Sequence, residues 1–179
     1  MNSEDIIEFW FGEANRVNWF ARNEAFDQTI RRRFSAVHAA AARCELENWR
    51  RSAEGRLAEV IVLDQFSRNL YRDSAQAFAC DSLALALAQE AVRMGADWGM
   101  PPAHKAFLYM PYMHAESPLI HEQAVRLFSQ PGLEYNLEFE LRHKAIIDRF
   151  GRYPHRNALL GRESGPEELA FLAQPGSSF

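Results

Sequence analysis

The chain reads as an all-α protein of about eight helices, stacked as antiparallel, tetratricopeptide-like hairpins. Three observations carry that expectation. Apolar residues recur at three- and four-residue spacing through most of the 179 residues. Helix caps and stops punctuate those runs. No stretch alternates apolar and polar residues over a useful length. Turn clusters between the runs are short, which makes consecutive helices antiparallel neighbours. No 34-residue tetratricopeptide signature repeats cleanly, so any solenoid is degenerate. No low-complexity linker divides the chain, so residues 1–179 are expected to form a single all-helical domain.

Each element has its own signal. Ser3 can cap a first helix carrying Ile6, Ile7, Trp10 and Phe11, with Gly12 as its stop. Asn23 can cap a second, with Phe26, Ile30, Phe34, Val37 and Ala41 on one stripe. A third runs from about Ser52 to Asn69, and a fourth from near Ser74 through Met94 to Gly95. Pro101 and Pro102 open a fifth, which Pro111 must kink or end because proline lacks a backbone donor and clashes with the preceding turn. Ser117 and Pro118 form a cap and first-turn pair for a sixth. Asn136 opens a seventh that Gly151 terminates. Ser164, with Glu167 three residues on, has the spacing of a capping box for the last.

Composition narrows the function. Net charge is −4, which argues against a whole-protein grip on nucleic acid or an anionic membrane. The basic set is eighteen arginines and two lysines, and arginine suits bidentate contact with carboxylate or phosphate. Cys44 and Cys80 are far apart and make no disulfide framework, as expected of a cytoplasmic protein. The acidic start "MNSEDIIEFWFGE" does not resemble a signal peptide, and no apolar run is long enough to span a bilayer. There is no glycine-rich dinucleotide fingerprint and no phosphate loop. "HEQAV" at 121–125 lacks the second histidine of a zinc-protease helix, and "GRESG" at 161–165 misplaces the serine of a nucleophile elbow. No motif specifies a cofactor, a reaction or an oligomeric state.

Three polar clusters remain. In "LDQFSRN", Asp64 and Arg68 share a helix face at four-residue spacing, and Gln65 and Asn69 form the adjacent pair. In "YMPYMHAES", His114 and Glu116 sit in a connector, where they could act as an acid–base pair. Two such ligands are too few for a metal site. The third cluster is "RHKAIIDRFGRYPHRNALLGR", residues 142–162. His143 shares a face with apolar Ile147, and Arg149, Arg152, His155, Arg156 and Asn157 follow. Cations suit the carbonyl end of a helix, but one helix end rarely needs this many. The surplus points to carboxylates elsewhere in the chain or to an anionic ligand.

The residues "FWFG" at 9–12, "LDQFSRN" at 63–69, "AFACD" at 77–81, "YMPYMHAE" at 109–116 and "RFGRYPHRNALLGR" at 149–162 resemble a bacterial domain-of-unknown-function family, number 924. The resemblance covers nearly the whole chain and implies an all-α fold. It implies no activity and no catalytic residues. Departures fall at Ser67, Ala115 and Gly165, where the family more often has proline, serine and threonine; the last shifts the cap of the final helix to Ser164 or Gly165.

The three clusters are expected to converge on one polar pocket that binds a small anion, carboxylate or phosphate. His114, Glu116 and Asp64 are the catalytic candidates. Gln65, Arg68, Asn69, His143, Arg149, Arg152, His155, Arg156 and Asn157 are the binding candidates. The alternatives are a groove for an acidic peptide or protein partner and a buried network that only fixes helix register.

Overall fold

The computed structural model describes residues 1–177. Among them are nine α-helices, three 3₁₀ segments and no strand. The α-helices are α1 Ser3–Phe11, α2 Glu13–Arg16, α3 Glu24–Ala42, α4 Ala53–Leu70, α5 Asp81–Arg93, α6 Pro102–Met113, α7 Pro118–Phe128, α8 Glu134–Phe150 and α9 Pro166–Leu172. The 3₁₀ segments are Glu47–Arg51, Ala75–Phe78 and Pro154–Arg156.

From α3 to α8 each helix packs on its successor, and α4 also packs on α1 and α6. Helix α4 is the axis of the core. Its apolar residues Leu57, Val60, Ile61, Val62, Leu63 and Phe66 are all fully buried. Residues on every side of a helix are buried together only when neighbours surround it. Phe66 meets Phe34 of α3 and Trp10 of α1 at ring-centroid distances of 5.1 and 5.7 Å. Trp10 in turn meets Phe107 of α6 edge-on at 5.3 Å. These are favoured aromatic geometries, and they join four helices through one cluster.

Local chemistry sets the helix ends. Asn2, not Ser3, caps α1 through a reciprocal pair: its side chain accepts from Asp5 N, and the Asp5 carboxylate accepts from Asn2 N. Asn23 caps α3 and Ser52 caps α4, as expected. Gly55 is required in the first turn of α4, because a Cβ there would stand 1.9 Å from the Trp49 carbonyl oxygen. Gly151 ends α8 in the left-handed region, φ 69°, and lets the chain double back into the 153–156 segment.

Helix bounds elsewhere refine or correct the expectation. The helix expected from Ser74 to Met94 is broken: a 3₁₀ turn comes first and α5 begins only at Asp81. The Ala77 carbonyl, which a continuous helix would turn toward the Asp81 N–H, accepts from the Arg68 guanidinium instead. Pro111 does not end α6, which runs on to Met113. It sits near the carboxyl end, and His114 N still bonds the Met110 carbonyl to close the last turn. Helix α8 begins at Glu134, ahead of Asn136. The last helix takes Gly165, the second of its two expected caps: Pro166 holds the first helical position, and the Glu168 carboxylate accepts from Gly165 N. No helix among the described residues is long and apolar enough to cross a membrane.

Candidate functional site

The carboxyl half of α4 presents Gln65, Arg68 and Asn69, and Arg72 follows just past its end. They face the 153–156 segment and the end of α6 across a cavity of about 780 Å³. Its inner wall also carries Phe78, His114, His143, Tyr153, His155 and Arg156. Its mouth carries Trp19, Phe20, Tyr135 and Phe139. Phe20 is 68 % and Tyr135 64 % exposed, so an apolar rim surrounds a polar floor. A second cavity of about 430 Å³ lies beside the first, and Phe78, His114 and Arg156 line both.

The floor rests on buried carboxylates. Asp64 is 0 % exposed. His114 Nδ1 donates to its Oδ1 at 2.7 Å and Gln65 Nε2 donates to its Oδ2 at 2.6 Å. Burial pushes the Asp64 carboxyl up, but His114, Arg68 and Gln65 outweigh it and hold the group below the usual carboxylate range. Arg68 lies 3.9 Å from Asp64, and its main partner is Asp81, gripped through two bonds at 2.8 and 2.9 Å. Farther along the same wall, Arg72 grips Asp27 through bonds of 2.7 and 2.8 Å, and Asn69 donates to the same carboxylate.

Arg156 is different. It is 6 % exposed, and its guanidinium lies between the rings of Phe78 and Tyr153, 4.6 and 4.5 Å from their centroids. Nη1 reaches Asp81 at 3.2 Å, a carboxylate already engaged by Arg68, and Nε has no hydrogen-bond partner among the described residues. The two arginines therefore feel opposite fields. Burial opposes the charge of Arg68, but Asp64 and Asp81 overcome it and raise its pKa. Burial and then the neighbouring Arg68 lower that of Arg156, and Asp81 does not make up the difference. A guanidinium stays protonated throughout the useful pH range, so Arg156 is a buried cation short of negative charge.

His143 and His155 are neutral at neutral pH. Burial drives His143 down to about 3, although its Nδ1 donates to the Phe139 carbonyl at 2.7 Å. Burial and Arg156 drive His155 down to about 4.

Seven predicted residues thus share one wall: Gln65, Arg68, Asn69, His114, His143, His155 and Arg156. Asp64 lies directly behind it. The pairing of His114 with Glu116 is not found. Glu116 lines the second cavity and accepts from Tyr153 N and from Arg162, which brace the C-terminal loop. Arg149, Arg152 and Asn157 lie outside the larger cavity. Arg152 grips Glu168 of α9 through two bonds, Asn157 bonds Ser164 and Glu168, and Arg149 stands 3.6 Å from Glu167 at the surface. These groups fasten α9 to the loop. The sequence reading missed Asp81, Phe78 and the aromatic rim. Asp81 stood within "AFACD", but nothing in the sequence shows which arginine it serves. Among the described residues no group of three or more His, Cys, Asp or Glu could hold a metal ion.

A family described as bacterial protein of unknown function (DUF924) matches residues 6–176. The chain belongs to this family. DUF924 is also the family that the five motifs resemble. A solved structure, that of the protein of unknown function ATU0120 from Agrobacterium tumefaciens, is 41 % identical with a TM-score of 0.90. The match covers 96 % of each chain. No curated protein matches.

Proposed function

We propose that the 780 Å³ cavity binds a small molecule with an oxyanion, carboxylate or phosphate, on an apolar body. One observation carries the reading: Arg156 is buried, under-neutralised and part of the cavity wall, while Arg68 and Arg72 are each matched by a two-pronged carboxylate. An unmatched buried cation is costly, and an incoming anion offsets that cost. The rim of Trp19, Phe20, Tyr135 and Phe139 supplies apolar contact for the rest of the ligand.

Benzoate and phenyl phosphate are the simplest probes. Both are expected to raise the melting temperature in proportion to occupancy, since a ligand of the folded state stabilises it. Arg156→Met should weaken binding by about ten- to a hundredfold, the range for losing a charged hydrogen bond. Equal affinity of Arg156→Met and wild type for both probes refutes the reading.

The Asp64–Gln65–His114 contacts and the saturated Arg68 also favour a second reading, a network that holds α4 to its neighbours. It predicts that Arg68→Ala mainly destabilises the fold.

A further inference from the structure

His114 forms part of the partition between the two cavities. Its Nδ1 is committed to Asp64 at 2.7 Å, so the ring is held in one orientation with Nε2 on the opposite edge. Nε2 has no hydrogen-bond partner among the described residues. A carboxylate behind one nitrogen of an imidazole that lines two cavities is the arrangement of a positioned proton donor or acceptor.

The charges around it make a second, independent argument. Arg68 and Arg156 carry two positive charges, and Asp64 and Asp81 carry two negative ones. With His114 neutral this cluster sums to zero. With His114 protonated it carries one surplus positive charge.

Among the described residues, the remaining groups that face His114 do not absorb that charge. His143 of α8 and His155 of the 153–156 segment are held neutral by burial. Glu140 of α8 is fully buried and bonded to His121, and burial favours its uncharged form. Glu116, on the connector after α6, is committed to Arg162 through two bonds.

We propose that the cavity takes up its oxyanion together with one proton, carried on His114 Nε2, which then donates to the ligand. The proposal rests on the anion-binding reading above and narrows its ligand class to oxyanions that accept a hydrogen bond from an imidazolium as well as from Arg156. The balance is simple: one proton leaves solvent and joins Nε2, no covalent bond of the ligand changes, and His114⁺ offsets one unit of the anion's charge. His114 so placed is a proton donor already aligned on the oxyanion, with Asp64 as its positioning residue.

Sulfate and benzoate suit the test because neither takes up a proton near neutral pH, so any linked proton belongs to the protein. They also separate a tetrahedral from a planar oxyanion. Calorimetric titration of the full chain, at one pH in buffers of different ionisation enthalpy, counts protons taken up per anion bound. The proposal expects uptake of up to one proton, and affinity that rises as pH falls, at most about tenfold per pH unit for a single linked proton. His114→Gln should keep weaker binding with no uptake and a flat pH profile. Diethyl pyrocarbonate should modify His114 in the free protein, with sulfate protecting it.

Zero uptake by wild type with either anion bound overturns the proposal, whatever the variants do. So does undiminished uptake by His114→Gln. If wild type binds neither anion, the anion-binding reading falls and this proposal falls with it. Binding without proton uptake removes only the role of His114.

Discussion

Arg68 and Arg156 share one carboxylate, Asp81, and divide it unequally. Arg68 is therefore expected to matter for folding and Arg156 for binding. Removing Arg68 leaves Asp81 without its two-bond partner and the fully buried Asp64 without a nearby guanidinium; breaking a fully buried pair costs about 3–5 kcal/mol, and this partly exposed one less. Urea unfolding of Arg68→Ala should show that loss, whereas Arg156→Met should stay within about 1 kcal/mol of wild type because it removes a poorly compensated charge. The histidines make a separate prediction. His143 and His155 titrate near 6.5 when unfolded and at about 3 and about 4 when folded. Between those limits the unfolded chain binds more protons, so stability falls as pH drops from about 6.5 toward 4. Near pH 5 unfolding should take up about two protons from this pair, visible as a steep pH dependence of the melting temperature. His143→Gln should flatten it. The carboxylates add their loss lower down: Asp64, Asp27 and Glu116 are held below their ordinary values, so their stabilising effect is present above that range and disappears as pH falls through it.

At the scale of elements, the feature that builds the site is the break between the 3₁₀ turn Ala75–Phe78 and α5. It frees Asp81 to meet Arg68 and turns Phe78 under both arginines. The sequence could not show this break, because the cause is a bond from another helix to the Ala77 carbonyl. Asn23, Ser52 and Gly151 were legible because their effects act within a few residues. The cation-rich stretch 149–162 was legible as a polar cluster in need of distant partners, but not in which cation meets which carboxylate. Arg152 and Arg162 are consumed by Glu168 and Glu116, and only tertiary contacts tell them from Arg156. Gly55 gives the sharpest element-scale prediction. Gly55→Ala must push the Glu47–Arg51 turn away from α4, at a cost of about 1–3 kcal/mol or more. Thermal unfolding should register it even though the substitution adds one methyl and suits a helix.

For the molecule as a whole, one helix organises both core and site. The buried length of α4 holds α1, α3, α5 and α6, and its carboxyl half forms the cavity floor. A site built on the central helix is rigidly placed, which favours binding without a large rearrangement. The all-helical class followed from periodicity, since amphipathic spacing is a property of whole segments and survives local errors at their ends. The convergence of three distant polar clusters could be anticipated only as a question of distance, and the cavity wall brings seven of their residues together. The central claim is that an oxyanion belongs against Arg156. A crystal structure of the protein with phenyl phosphate tests it most directly. The account predicts phosphate oxygens within about 3 Å of the Arg156 guanidinium and the phenyl ring toward Tyr135 and Phe139. Phenyl phosphate bound elsewhere at saturation, with Arg156 still facing only Asp81, would contradict it.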